Sequence, residues 1–256
     1  MLKQSNKKNK DSIVFCKNFG IERNNGILSI KQSLEFRKIC DEYIDNQIKE
    51  WNKQVKVTQI PNNMDDFNWD SYRRGLLETA YRIRLLRVVE SKAISEIAKF
   101  SPDAAKIWAE YEADEMLHDQ MFIDDLINSG ADKSLVLTNE PSLETKLLVG
   151  YFSYLLDHEG PLGVVTYSYL VEYVNVKMEL NKIDKLSSLL GESLVVGQRA
   201  HIYTDINHDH PTMVWECLYR LIQSEEDKNK VIKYFDNFKN ILMLFMNSDS
   251  ALKPVE

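Results

Sequence analysis

The chain has 256 residues, 44% hydrophobic and 28% charged, with 32 basic against 39 acidic side chains and a formal net charge of −7. That balance fits a soluble chain long enough to bury a sizeable core, and it argues against unspecific nucleic-acid binding, which needs clustered Lys and Arg. Three widely spaced cysteines (Cys16, Cys40, Cys217) with no CxxC pair argue against a disulfide framework and for a reducing, cytoplasmic setting.

The N-terminal lysines, in KQSNKKNK at 3–10, are followed by no apolar stretch, so no signal peptide is expected. No apolar run approaches the length of about 18 residues that a membrane span requires. Residues 1–27 are polar and irregular and read as a disordered tail; 28–250 read as one domain. Glycines and prolines are few, strand signals are sparse and apolar spacing is mostly helical.

A first helix is expected over 30–52, with Leu34, Ile39, Tyr43, Ile44, Ile48 and Trp51 on one side. A linker, VTQIPNNMDDFN, follows. The next helix runs over 69–99 and stops at Ser101-Pro102, an N-cap and first-turn pair that starts another helix, to about Asn128. Ser129-Gly130 and a polar connection lead to a helix over 142–157, broken by His158-Glu-Gly-Pro161. Helices over 162–181, 186–207, 211–222 and 225–246 complete the chain. The last carries Val231, Tyr234, Phe235, Phe238, Ile241, Leu242 and Phe245. The expected fold is a single all-α bundle of seven to eight helices.

Three of the five histidines fall in one stretch, HIYTDINHDH at 201–210. His201, Asp205 and His208 stand at i, i+4 and i+7 and share a helix face. Two imidazoles and a carboxylate on one stripe form a metal-ligand arrangement, whereas a single helical His is usually structural. His210, just before Pro211, falls off that stripe. In EYEADEMLHDQMF, Glu115 and His118 stand at i and i+3, the Glu-x-x-His half-site of dinuclear carboxylate bundles. Asp205-x-x-His208 repeats it with Asp for Glu.

Such sites take one further carboxylate from each of two other helices. Glu172 is the only charge between Leu162 and Lys177, and an isolated acid among apolar residues is costly unless it is paired or bound to metal. For the other helix Glu90 and Glu78 compete. Glu90 shares a face with Ile83, Leu86, Ala93, Ile94 and Ile97, while Glu78 has Arg74 and Arg82 as i±4 neighbours, an ion-paired reading. Glu90 and Glu115 also lie about equally far from the turn at Ser101-Pro102, whereas Glu78 would sit about 18 Å further along the helix. Glu90 is therefore preferred. Glu172 and Asp205 lie symmetrically about residues 188–189, near the break expected around Asn181–Lys185.

Over residues 90–208, this ligand pattern resembles the haem-oxygenase-like diiron oxidases and oxygenases, and the trailing helix is similar to theirs. The resemblance implies a haem-oxygenase-like bundle with metal ligands at Glu115, His118, Glu172, His201, Asp205 and His208, with Glu90 joining them less directly. It implies two irons, O₂ as cosubstrate and a small-molecule substrate, often an amine or amino acid. N-oxygenation, C–C cleavage and desaturation are the outcomes it allows. An external electron donor and a homodimer fit that picture; nucleic-acid and membrane partners do not. A loosely held second iron is also implied. Gly191 and Gly197, each worth about 1 kcal/mol against helix relative to Ala, mark 186–207 as the segment to relax without metal.

Ferritin-like diiron N-oxygenases have a similar ligand order, usually with Glu in place of Asp205. Other readings are a metal-free thiaminase-like enzyme with a nucleophilic Cys, a haem-degrading enzyme and a non-catalytic helical binding protein. Tyr111, Tyr167 and Tyr173 flank the ligands in sequence and could line a pocket. Arg82, Arg84 and Arg87 could hold a substrate carboxylate, although surface charge is the simpler account.

Overall fold

The computed structural model of the protein describes residues 25–54 and 60–247. Cys16 and most of the expected tail lie outside those residues. Among the described residues the chain is helical with no strand, and no helix is long and apolar enough to cross a membrane.

Residues 25–27 are irregular but anchored. The Ile27 N–H donates to the Ile222 carbonyl at 2.9 Å. Gly26 has φ +79°, and a Cβ there would lie 2.7 Å from the Tyr219 carbonyl oxygen, so only glycine suits the position. Helix α1 (Ile30–Gln54) starts from a capping box: Ser29 Oγ accepts from the Gln32 N–H, and Gln32 Oε1 accepts from the Ser29 N–H. Its core face is Phe36, Cys40, Ile44 and Ile48, each four residues apart. Leu34 and Ile39, expected on that face, are 57% and 56% exposed. Apolar residues lie on two sides of this helix, and only packing decides which side is covered.

Helix α2 (Trp69–Phe100) is capped by Asn68, which accepts from the Ser71 N–H. Ser101 ends it and caps α3 (Pro102–Glu115), as the Ser-Pro signal predicts. The helix expected to run to Asn128 is broken at Met116–Leu117, and α4 (His118–Asn128) begins at the histidine. The connection that follows contains the single turn α5 (Leu135–Thr138). Helix α6 (Leu143–Tyr154) passes through a π turn at Leu155–Glu159 before α7 (Leu162–Leu190). Contrary to the sequence reading, α7 does not break at 181–185. Ile183 and Leu186 are buried, and the helix ends at Gly191, which takes φ +93°. A 3-10 turn at Glu192–Leu194 leads to α8 (Val196–Asn207), α9 (His210–Leu221) and α10 (Glu225–Asn247).

Helix α2 packs on α3, α4 and α6, and α7 packs on α8, α9 and α10. Contacts of α9 with α3 and of α8 with α4 join the two groups. The main core is built on Trp108, Trp215, Tyr169, Phe152 and the α10 stripe Val231, Tyr234, Phe235 and Phe238. A cavity of about 570 Å³ lies between α2 and α7, from Phe67 and Tyr72 at one end to Glu90, Glu115, Glu172 and His201 at the other.

Glu78 forms the ion pair with Arg74 that its spacing predicts, at 3.7 Å, but is 1% exposed rather than solvated. Its carboxylate caps α6, accepting from the Ser142 N–H at 2.9 Å and from Thr145 Oγ at 2.7 Å. Glu78→Ala strands those donors and should cost about 1–3 kcal/mol in chemical denaturation. A loss below about 0.5 kcal/mol would show that the cap carries little.

Candidate metal centre

Five helices meet where α3 ends, α4 begins, α7 passes and α8 turns into α9. His118 Nδ1 lies 2.8 Å from Glu115 Oε2, so the Glu-x-x-His pair meets across the helix break rather than along one helix. Arg84 and Arg87 hold that break. Both grip Asp119, which is buried next to His118, and Arg87 also donates to the Met116 carbonyl at 2.6 Å. These two arginines are thereby engaged in holding the centre's backbone. Arg82 lines the cavity.

On α8, His201 Nδ1 lies 3.4 Å from Asp205 Oδ2, so the i, i+4 pair meets as its spacing predicts. The stripe ends there. Helix α8 stops at Asn207, Asp209 takes the left-handed conformation (φ 50°, ψ 50°) and α9 starts at His210. Pro211 disfavours a helical His210 in the preceding helix but suits the first turn of a new one. His208 consequently points outward, 52% exposed, with Nδ1 2.8 Å from Asp114 Oδ2. The structure does not bring His208 to the buried cluster. His210 stands there instead, fully buried, with Nδ1 at 3.1 Å from Glu115 Oε1, 3.3 Å from Asp205 Oδ1 and 3.7 Å from Glu172 Oε2. The sequence held a signal for this: His210, Val214, Cys217 and Leu221 form the buried stripe of α9.

Two donor sets result, each with its ligand atoms within 4.8 Å of one another: Glu115, His118, His201 and Asp205, and Glu115, Glu172, Asp205 and His210. They share two carboxylates. A third set, Asp114, His208 and His210, shares His210 with the second. Glu172 Oε1 accepts from the Tyr111 hydroxyl at 2.8 Å. Glu90 faces the same cavity, but its Oε1 accepts from Ser168 Oγ at 3.1 Å and it belongs to none of the three sets. Glu112, which the sequence reading passed over, is 1% exposed with both oxygens unpartnered. It shares a face with Ala105, Trp108 and Glu115, a spacing that could have found it.

The close approach of α4 and α8 is set by Gly197. A Cβ there would lie 1.9 Å from the Met121 carbonyl oxygen. Asp125 then accepts from the N–H groups of Gly197 and Gln198, pinning the start of α8. This brings the His118 and His201 rings to 4.7 Å. The glycine expected to loosen the ligand helix is thus what lets it reach α4.

The donors fit divalent cations. Glu115 Oε1, Glu172 Oε2, both Asp205 oxygens and His210 Nδ1 are buried, and none has a partner in hydrogen-bond geometry. They face one another across distances that a cation would bridge. Carboxylate and imidazole donors without thiolate suit Fe(II) or Mn(II). Cys40 and Cys217 are buried elsewhere, and burial pushes both thiols up, the reverse of what a nucleophilic cysteine needs.

Charge makes the metal-free centre sensitive to pH. Burial and the Glu115 charge push Glu90 up to about 8, and burial and the Asp205 charge push Glu172 up to about 8. Burial and the Glu90 charge push Glu112 up to about 10. Burial would lower His210, but Asp205, Glu115 and Glu172 around it hold it at about 12. Burial would raise Glu115, but the His118 and His210 imidazoles beside it hold it at about 2.

The raised acids keep protons in the fold that the unfolded chain loses at its ordinary value of 4.5. Folding therefore takes up protons as pH rises from there to about 8, and stability falls through that window. His210 acts with the same sign above 6.5, and Glu115 matters only below 4.5. The Tm of metal-free protein should fall between about pH 5 and 8, and saturating Mn(II) should remove the fall. A flat metal-free profile would contradict the charge assignment.

A second test compares two glycines. Gly197→Ala should destabilise the chain and lower metal content. Gly150→Ala, in α6 with nothing within 4 Å of the added Cβ, should stabilise it by up to about 1 kcal/mol. Equal metal content in wild type and Gly197→Ala would show that the α4–α8 approach does not set the site.

No protein-family model matches the chain, and no curated protein matches it in sequence. In structure it is similar to a domain of unknown function with a haem oxygenase-like fold from Shewanella denitrificans. The match has a TM-score of 0.65 and 18% identity, and covers 87% of this chain and 92% of that one. At that identity the likeness speaks for the course of the backbone, and the chain has the haem-oxygenase-like fold.

Proposed function

We propose that the protein is a non-haem diiron enzyme that uses O₂ to oxidise a small substrate, an amine or amino acid, by N-oxygenation, C–C cleavage or desaturation. The observation that carries this reading is the pair of buried donor sets sharing Glu115 and Asp205 beside a cavity of about 570 Å³. Shared carboxylates between two imidazole-capped positions are the ligand logic of dinuclear carboxylate centres. Two ferrous ions held by these residues would supply the reducing chemistry for O₂, with an external electron donor where the substrate does not provide the electrons.

The chain's own residues do the rest. Glu115 and Asp205, common to both donor sets, would neutralise the cations, and His118, His201 and His210 would supply the imidazole donors. The Tyr111 hydroxyl fixes one Glu172 oxygen and leaves the other for the metal. Tyr167, Leu86 and Val171 line the cavity wall and keep water from the reacting end of a docked substrate.

Iron analysis tests the reading directly. After anaerobic loading and removal of excess Fe(II), the wild-type chain should hold about two irons. Glu115→Ala, which deletes a carboxylate common to both sets, should bring this below one with unchanged far-UV circular dichroism. Oxygen uptake should follow addition of an oxidisable amine or amino acid and vanish in that variant. A wild-type chain that retains no iron in the buried sets would end the proposal.

A further inference from the structure

We propose that Asp114, His208 and His210 form an outer divalent-cation site through which Fe(II) passes to the buried centre. Asp114 Oδ2 lies 2.8 Å from His208 Nδ1 and 3.4 Å from His210 Nε2, and the three ligand atoms lie within 4.8 Å of one another. The two imidazole rings stand 6.0 Å apart, tilted at 56° rather than stacked. Two imidazoles and a carboxylate suit a hydrated first-row cation.

Exposure gives the site its direction. His208 is 52% and Asp114 32% exposed, while the buried sets' donors are at most 12% exposed. A hydrated ion meets His208 and Asp114 first and exchanges waters for ligands in steps. His210 joins outside to inside: Nε2 faces Asp114, and Nδ1 faces Glu115, Asp205 and Glu172. A neutral imidazole has one lone pair for a metal, so the ring serves one side at a time. When one nitrogen holds the ion, a carboxylate stands ready to accept a hydrogen bond from the other. The three donor sets form a series in which each shares a ligand with the next, so an ion can advance without leaving protein ligands. The substrate cavity has none of Asp114, His208 or His210 in its wall.

This inference rests on the diiron reading only for the identity of the passing metal. The test mixes full-length metal-free protein with Co(II) in a stopped-flow instrument and follows its d–d absorption, then repeats the uptake with anaerobic Fe(II). His208→Ala and Asp114→Asn should slow uptake by about tenfold, the scale on which a lost metal-site partner acts. Final loading should match wild type. His208 is exposed, so the variant should unfold at the wild-type temperature. Unchanged uptake in both variants would overturn the proposal. So would a His208→Ala protein that fills with one ion fewer, since His208 would then be a resident ligand of the buried centre. A wild-type chain that binds a single Co(II), taken up more slowly but still bound in His208→Ala, would support the outer site and sink the dinuclear reading instead.

Discussion

Nδ1 of His210 faces carboxylate oxygens from three helices: Glu115 on α3, Glu172 on α7 and Asp205 on α8. Bringing those acids together out of water is costly. A buried, unpaired carboxylate costs several kcal/mol, and like charges at this range add to that. The metal-free chain meets the cost partly by keeping protons on Glu90, Glu112 and Glu172 and partly by holding His210 as a cation. Divalent cations would meet it more fully, because each would satisfy several orphaned oxygens at once.

Much of the surrounding structure holds that cluster in place. Asp119 is clamped by two arginines of α2, which fixes the turn between Glu115 and His118. Asp125 caps α8, and Gly197 lets α8 lie against α4. Tyr111 reaches from α3 to Glu172 on α7, and its ring meets His210 edge-on at 5.2 Å. Each lock ties a ligand-bearing segment to a neighbouring helix, and the one that touches a candidate ligand, Tyr111 on Glu172 Oε1, leaves Glu172 Oε2 unpartnered. Most buried charges in this part of the molecule stand next to a polar or charged partner, Glu112 excepted, and such a network rigidifies a site only when nearly every member is satisfied.

The fold was largely legible in the sequence because its strongest signals are local. Ser101-Pro102 sets the α2–α3 hairpin, and the aromatic stripe of α10 sets its buried face. The misread breaks are tertiary in origin. Met116–Leu117 contains no glycine or proline, and its turn is held by Arg87 from another helix. The polar run at 181–185 reads as a loop, yet it lies within α7, where Ile183 is buried among charged neighbours that face solvent. In the centre, spacing located Glu115, His118, Glu172, His201 and Asp205 together, since each lies on a regular helix or next to its partner. The exchange of His210 for His208 was hidden because it depends on one left-handed residue, Asp209, and on which turn Pro211 begins.

Two routes to one cluster follow from this geometry. The cavity between α2 and α7 is lined largely by apolar side chains and reaches Glu172 and His201 from one direction. The polar corner at Asp114 and His208 reaches His210 from another. A hydrated cation would be poorly served by the first, where it would lose water without gaining matching polar partners. The αL residue that turns His208 outward therefore also separates the polar approach from the apolar one, and it leaves His210 as the single side chain common to the surface cluster and the buried one.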